Sequence, residues 1–127
     1  MIDSGPMIVG IGMDICSIDR MRKALGRHGD RFYDRIVSPT EKADQVGERA
    51  LFLASRFAAK EAFTKACGGT PGVGWHEVHV RRTESGKPRI DLFGKALALV
   101  TSLGASKWHL TITHDAGVAA AVVVLEK

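Results

Sequence analysis

The spacing of apolar residues in the first third of the chain predicts a strand followed by helices. Residues 7–15 form an apolar run with two glycines, as in a buried strand that another backbone approaches closely. Ser17 can cap a helix with apolar positions three and four apart, and we expect that helix to end at Gly26 or Gly29. A serine, a proline and a glutamate within residues 38–41 indicate that another helix begins there.

The strongest helical signal covers residues 49–67. This segment is rich in alanine, contains neither proline nor glycine and is followed directly by two glycines. Because most of its faces are apolar, we expect a central helix whose charged residues line a cleft. The glycine-rich residues 68–74 predict a loop.

The second half of the chain has the alternating pattern of strands. We expect a hairpin, a helix and a second pair of strands, with strands at residues 76–82, 90–93, 108–114 and 118–125 and the helix at residues 94–103. Helices grouped between such strand pairs predict an α+β fold, with a mainly antiparallel sheet packed against the long central helix. The length of 127 residues predicts a single domain over residues 1–127.

Composition excludes several classes of protein. A hydrophobic fraction of 45% is too high for a disordered chain. No apolar run approaches the roughly 20 residues that span a bilayer, and the first residues do not have the pattern of a secretory signal. Two cysteines are too few for a disulfide framework or a zinc site. We therefore expect a cytoplasmic protein with reduced thiols and no membrane partner.

The net charge of +4 favours acidic partners, and much of it lies in one segment. Residues 18–31 contain five arginines and lysines against two aspartates. A small nucleic-acid-binding module is one class of protein with this charge pattern. Aromatic residues do not alternate with the basic ones, as stacking platforms for bases would, so we prefer an interpretation without nucleic acid.

Two acidic residues lie in apolar surroundings and are candidates for chemistry. Asp14 follows the glycines of the first strand, where a carboxylate needs a cation, hydrogen-bond donors or water; a helix cap is the alternative. Glu61 shares a helical face with Lys65, for which a surface ion pair is the alternative. Two carboxylates without a zinc-type histidine pair favour Mg²⁺, which usually binds substrate phosphates as well.

Further candidates stand at a helix face, a turn and a strand end. Arg56 and Lys60 form a second pair four residues apart. Thr113 and His114 end a strand and have the side chains to hold a phosphate, although a half-exposed turn histidine is the alternative. Residues 86–88, Gly-Lys-Pro, are by themselves a hairpin turn with a lysine. The sequence contains no Gly-x-Ser-x-Gly motif and no credible nucleophilic catalytic set.

These motifs, in this order and at this length, resemble the small bacterial-type 4′-phosphopantetheinyl transferase family, the holo-acyl-carrier-protein synthases. The sequence GIGMDI at residues 10–15, followed by Arg20, is the first motif, and RFAAKEAFTK at residues 56–65 is the second. Residues 86–88 and 113–114 follow in the expected order, with threonine at a position where the family often has serine.

The resemblance implies a reaction, a fold and an assembly. The 4′-phosphopantetheine group of coenzyme A would pass to a serine of apo acyl carrier protein, releasing adenosine 3′,5′-bisphosphate, as a step that serves fatty acid biosynthesis. The chain would adopt the 4′-phosphopantetheinyl transferase fold and form a homotrimer with sites between subunits. A non-catalytic protein that only binds coenzyme A is an alternative that the sequence leaves open.

The resemblance also implies roles for individual residues. Asp14 and Glu61 would bind magnesium, and Glu61 and Lys65 would be catalytic. Glu61, acting through a metal-bound water, is the preferred acceptor of the serine proton, with a carboxylate of the carrier as the alternative. The residues implied to bind coenzyme A are Arg56, Lys60, Lys65, Gly86, Lys87, Pro88, Thr113 and His114. Because carrier proteins are acidic, the residues expected to steer one are Arg20, Arg27 and Arg31; a solvated helix face is the alternative.

Overall fold

A computed structural model describes residues 5, 7–69 and 72–127 of the chain. The elements in chain order are β1 (Ile8–Ser17), α1 (Ile18–Ile36), α2 (Pro39–Lys42), α3 (Arg49–Ala66), a 3-10 turn (Trp75–Glu77), β2 (Val78–Arg82), β3 (Pro88–Leu92), α4 (Gly94–Ser102), β4 (Lys107–Asp115) and β5 (Val118–Glu126). This order confirms the predicted sequence of strand, helices, hairpin, helix and hairpin. Thr70 and Pro71, within the predicted glycine-rich loop, lie outside the described residues.

The strands of the described residues form a three-stranded sheet in the order β1-β5-β4 and a separate two-stranded sheet of β2 and β3. Every pairing is antiparallel, which confirms the predicted α+β fold class. In the larger sheet, Asp14 of β1 pairs with Ala121 of β5, which pairs with Ile112 of β4. The indole Nε1 of Trp108 donates a hydrogen bond to the Ile90 carbonyl oxygen at 2.9 Å and so ties the two sheets together.

Helix α3 is the central helix that the sequence predicts. Twelve of its eighteen residues are buried, and it packs on the inner face of β1 and β5. Fully buried side chains such as Leu53 and Phe63 each contribute about 1.5–3 kcal/mol of hydrophobic free energy. A β-carbon on Gly10 or Gly12 would lie 1.9 Å from the carbonyl oxygen of Ala66 or Ala62, respectively. The close backbone approach expected of these glycines is therefore confirmed.

Helix α1 continues beyond its predicted end. Ser17 caps it as expected, since its Oγ accepts a hydrogen bond from the Arg20 backbone N–H at 3.1 Å. Gly29, at φ 60° and ψ −146°, interrupts the helical geometry, but the chain winds again to Ile36. The buried side chains of Tyr33 and Ile36 anchor this second part. The predicted stop is therefore a kink at Gly29.

No helix within the described residues is long and apolar enough to cross a bilayer.

The outer face of the three-stranded sheet is apolar, and no other element among the described residues covers it. On β1, Ile11, Met13 and Ile15 are 64%, 55% and 56% exposed. Their partners on β5, Val124, Val122 and Ala120, continue the apolar surface. Contiguous exposed apolar surface of this kind marks an interaction site.

Candidate active site

Asp14 on β1 and Lys65 on α3 form an ion pair beside the central helix. Lys65 Nζ donates a hydrogen bond to Asp14 Oδ1 at 2.9 Å. The Asp14 side chain is 14% exposed, whereas the Lys65 side chain is 54% exposed. The hydrogen bond and the negative charge of Asp14 raise the pKa of Lys65, and the charge of Glu61 adds to the effect. The ammonium group therefore stays protonated at neutral pH, and Asp14 has the cation that its position requires.

Glu61 stands one helical turn before Lys65 and is half-buried. The contact of Gly12 with Ala62 holds β1 against this part of α3, so the two carboxylates of Asp14 and Glu61 both act on Lys65. Within the described residues, no three histidine, cysteine, aspartate or glutamate side chains group closely enough to hold a metal ion by themselves. Two carboxylates fit Mg²⁺, because this ion keeps several water ligands and takes others from substrate phosphates.

A cavity of about 400 Å³ lies on the opposite flank of α3. Its walls come from α3, from the turn between β2 and β3, and from the end of β4. The lining residues that bear on chemistry are Ser55, Arg56, Arg82, Gly86, Pro88 and His114. The fold thus brings together four of the residues to which the family resemblance assigns ligand binding, Arg56, Gly86, Pro88 and His114. They lie up to 58 positions apart in the chain.

Arg56 is the buried cation of this cavity. It is 6% exposed, its guanidinium carbon lies 4.0 Å from the centroid of the Phe52 ring, and Nη1 donates to Ser55 Oγ at 3.0 Å. Burial lowers the pKa of Arg56, while the charges of Glu41 and Asp44 oppose the shift. Its Nε has no hydrogen-bond partner among the described residues. A buried donor without a partner is costly, so this cavity fits an anion such as a phosphate.

Two arginines on β2 that the sequence patterns did not single out also belong to this cavity. Arg81 Nε donates to Asp44 Oδ2 at 2.7 Å, and the backbone N–H of Arg82 donates to the same oxygen at 3.0 Å. The hydrogen bond from Arg81, with that from the Arg82 backbone, holds the pKa of Asp44 below its ordinary value. Both arginines line the cavity. Two consecutive arginines, separated by three residues from the Gly-Lys-Pro turn, were the signal that could have identified them.

Lys60 does not reach the cavity, which corrects its predicted place among the ligand-binding residues. Its side chain is 2% exposed. Nζ donates to Glu41 Oε1 at 2.7 Å, to the Ile36 carbonyl oxygen at 2.5 Å and to the Trp75 carbonyl oxygen at 2.8 Å. An ammonium group has three protons, and protein acceptors use all of them.

Thr113 and His114 do not act as a pair within one chain. Consecutive residues of a strand face opposite sides of the sheet. His114 and Ile112 line the cavity, so Thr113 stands on the outer face, where it pairs with Ala120. Lys87 is exposed in the hairpin turn and does not line the cavity either.

Arg56 and Lys65 lie on opposite sides of the central helix. They are nine residues apart, which at about 100° per residue amounts to roughly 180° around the axis. The cavity and the group of Asp14, Glu61 and Lys65 therefore face away from each other in a single chain.

The basic residues of α1 surround a second hollow of about 460 Å³. Arg20 and Arg27, seven residues apart and so on one face of the helix, line it together with Met21. Phe57 of α3 also contributes to its wall. Arg31 lies beyond the kink and is exposed, but it does not line this hollow.

The class of the protein follows from its fold and from two features along α3. These are the cavity at Arg56 and the group of Asp14, Glu61 and Lys65. A sequence model described as the 4′-phosphopantetheinyl transferase superfamily matches residues 10–123, and the chain belongs to that superfamily. Its relatives are named holo-[acyl-carrier-protein] synthase: that of Beutenbergia cavernae is 45% identical over 121 residues, covering 95% of this chain and 100% of the relative. That of Maridesulfovibrio salexigens is 41% identical over 124 residues, covering 95% and 100%.

Solved structures with the same fold carry the same name. The holo-[acyl-carrier-protein] synthase of Neisseria meningitidis has a TM-score of 0.86 and 37% identity, covering 95% of this chain and 100% of that one. The Helicobacter pylori synthase, solved in complex with coenzyme A, has a TM-score of 0.78 and 30% identity, covering 91% of this chain and 99% of that one.

Proposed function

We propose that this protein is a holo-acyl-carrier-protein synthase, which transfers 4′-phosphopantetheine from coenzyme A to a serine of apo acyl carrier protein. The chain belongs to the superfamily, and the observation that carries the proposal is the placement of Arg56 and Lys65 on its helix α3. This helix presents the buried Arg56 to an arginine-lined cavity on one flank and a protonated Lys65 beside Asp14 on the other. Both are places for phosphate groups, and coenzyme A contains a 3′-phosphate and a pyrophosphate.

In this proposal the cavity binds the nucleotide end of coenzyme A. Arg56 and His114 contact the 3′-phosphate, and Arg82 adds positive charge at the exposed side. The hairpin turn of residues 86–88 lies beside the adenine, with Lys87 at its tip. Thr113 reaches coenzyme A only from a neighbouring subunit, because it stands on the outer face of the sheet. A related synthase from Bacillus anthracis has been solved in complex with CoA (3′,5′-ADP), which supports nucleotide binding by this fold.

The reaction requires the exchange of one phosphorus–oxygen bond for another. The serine oxygen of the carrier bonds to the phosphorus that bears the pantetheine, as the bond from that phosphorus to the bridging oxygen breaks and adenosine 3′,5′-bisphosphate leaves. Lys65, kept protonated by Asp14, stabilises the negative charge that develops on the bridging oxygen. Glu61 accepts the serine proton; a carboxylate of the carrier is the alternative acceptor.

Mg²⁺ is the metal that we propose for the group of Asp14 and Glu61. When bound to these carboxylates, it would supply positive charge to the pyrophosphate. Asp14 has two carboxylate oxygens, and Lys65 engages one of them. The chain itself therefore provides one fixed cation and two metal-type ligands at the same place.

The carrier protein would dock on α1. Arg20 and Arg27 border a hollow with apolar walls, and Arg31 extends the positive surface beyond the kink. Positive charges of this kind orient an acidic partner, and they raise its association rate more than its affinity. The alternative, a merely solvated helix face, predicts no effect of these charges on the reaction.

We further propose a homotrimer with its active sites between subunits. The exposed Ile11, Met13 and Ile15 offer an apolar face for subunit contact. The opposite directions of Arg56 and Lys65 require a second chain for a complete site. We also propose a cytoplasmic location, because a chain of this size with only two cysteines lacks the disulfide framework that is common in small secreted domains.

The decisive experiment is the intact mass of an apo acyl carrier protein after incubation with the enzyme and coenzyme A, with and without Mg²⁺. We expect a mass gain of one phosphopantetheine group only with the metal. A carrier whose acceptor serine is replaced by alanine is the control and should gain nothing. Binding of coenzyme A without transfer would favour a non-catalytic binder, and salt-dependent binding of nucleic acid without transfer would favour a nucleic-acid module.

A further inference from the structure

A buried ion pair joins the central helix to the β2–β3 hairpin. The side chains of Lys60 and Glu41 are 2% and 0% exposed, and Lys60 Nζ lies 2.7 Å from Glu41 Oε1. The same Glu41 oxygen accepts the Ser38 backbone N–H at 3.0 Å. The other oxygen, Oε2, accepts the backbone N–H of Val80 at 2.9 Å. Both carboxylate oxygens are therefore engaged, one toward α3 and one toward β2.

This ion pair is a poor device for stability alone. Removing two charges from water is costly, and replacing a buried ion pair by apolar residues of similar volume is often neutral or stabilising. What apolar side chains cannot reproduce is the set of directed hydrogen bonds. Those bonds fix the position of β2 at Val80, immediately before the two arginines of the cavity wall.

The geometry points to a positioning role: we propose that Glu41 and Lys60 hold the β2–β3 hairpin at the distance from α3 that the nucleotide end of coenzyme A requires. This inference rests on the proposed function. Arg56 belongs to α3, whereas Arg82 and Pro88 belong to the hairpin, so the tether sets the width of the cavity between them. Glu41 and Lys60 are positioning residues, since neither lines the cavity.

The reacting centre should be insensitive to this tether. Asp14 is held against α3 through the backbone contact of Gly12 with Ala62, and α3 is held by its packing on β1 and β5. Neither contact involves Glu41. Loss of the tether should therefore weaken binding of the nucleotide and leave the turnover of bound substrate nearly unchanged.

The experiment compares two variants with the wild-type protein. Glu41→Gln keeps the shape but removes the charge that Lys60 faces. The double variant Glu41→Leu with Lys60→Met removes both charges and preserves folding where the single variant fails. Val100→Ala, on the buried face of α4, is the matched control, because Val100 is fully buried and does not line the cavity. The measurements are calorimetric binding of adenosine 3′,5′-bisphosphate, kcat and KM for coenzyme A, and exchange of the Val80 amide proton.

We expect the double variant to bind the bisphosphate more weakly and to raise KM, on the order of tenfold to a hundredfold, with kcat within about twofold of wild type. The Val80 amide should exchange faster, and the control should change neither affinity nor KM. Wild-type affinity and KM in a folded double variant would overturn the proposal. A wild-type protein that binds the bisphosphate but transfers nothing would refute the proposed function alone, since the binding and exchange measurements still test the tether.

Discussion

A β-carbon on Gly12 would lie 1.9 Å from the carbonyl oxygen of Ala62, so β1 and α3 meet backbone against backbone. Gly10 makes the same kind of contact with Ala66. Because alternate residues of a strand share a face, Asp14 continues this line along β1 and meets Lys65 across the contact. The two glycines therefore place a carboxylate beside the helix rather than cradling a ligand themselves.

Gly12→Ala should destabilise the protein by roughly 3 kcal/mol, because the added methyl group forces two backbones apart. The measurement is the free energy of unfolding in urea. Gly26→Ala is the matched control: a β-carbon there meets nothing within 4 Å, and the residue lies in α1. The control should be more stable than wild type by about 0.5–1 kcal/mol. Equal effects of the two substitutions would contradict the contact.

Asp14→Asn and Glu61→Gln should each lower the transfer rate by about a hundredfold or more, because each removes a proposed carboxylate ligand of the Mg²⁺ that would supply positive charge to the pyrophosphate. A chelator should abolish wild-type activity, and added Mg²⁺ should restore it. Thermal unfolding should change little, and Asp91→Asn on β3 should keep wild-type activity. Full activity in either active-site variant would refute the metal assignment.

The dependence of folding stability on pH below neutrality should report the hydrogen bonds between Asp44 and β2. Arg81 and the Arg82 backbone lower the pKa of Asp44, so its ionised form stabilises the fold at neutral pH. That contribution is present above the unfolded-state pKa and is lost as the pH falls below about 4, through the folded-state pKa. Urea midpoints of wild type and Asp44→Asn should therefore converge toward pH 3. Curves that stay parallel would show that Asp44 has an ordinary pKa.

Charge reversal on α1 should slow the reaction in a salt-dependent way. Arg20→Glu should lower kcat/KM for the apo carrier protein several-fold at low ionic strength. The effect should be much smaller at high salt, because the screening length falls from about 30 Å at 0.01 M to about 3 Å at 1 M. Lys95→Glu on α4 has the same change of charge away from the hollow and is the control. If Arg20→Glu reacts at the wild-type rate at every salt concentration, α1 does not steer the carrier.

The apolar outer face of the sheet should control the state of association. Met13→Glu places a charge among exposed isoleucines and should convert the proposed trimer into monomers, as measured by light scattering after gel filtration. Activity should disappear with the trimer, because each proposed site draws on two chains. Leu97→Glu, which changes an exposed apolar residue of α4, should leave the trimer intact. A trimeric, active Met13→Glu protein would contradict the proposed interface.

The sequence predicted the fold wherever local signals determine it. The central helix was predicted for residues 49–67 and spans Arg49–Ala66. Its end could be predicted because the alanine-rich segment is followed by Gly68 and Gly69, whose positive φ suits the end of a helix. The capping box at Ser38 and Glu41 likewise marks the start of α2. The stop at Gly29 was only half right, since burial of Tyr33 and Ile36, a tertiary effect, restores the helix beyond the kink.

The site was harder to predict because its contacts are between distant parts of the chain. Lys60 was predicted to contact the ligand, but its ammonium group is buried in an ion pair with Glu41, nineteen residues away. The pair of arginines at residues 81–82 marked positive charge near the hairpin turn, but nothing in the sequence indicated that Arg81 would contact Asp44, 37 positions earlier. Periodicity shows which residues share an element; it does not show which elements turn their charged faces toward each other.

The placement of Arg56 and Lys65 on opposite flanks of α3 has a genetic consequence. In the proposed trimer, each active site takes Asp14 and Glu61 from one subunit and the nucleotide cavity from the next. A substitution of Asp14 and a substitution of Arg56 therefore inactivate different parts of the site. Two inactive alleles of these kinds, expressed in one cell, would assemble some mixed rings with an intact centre at one junction. Such alleles would complement each other, whereas two lesions on the same flank would not.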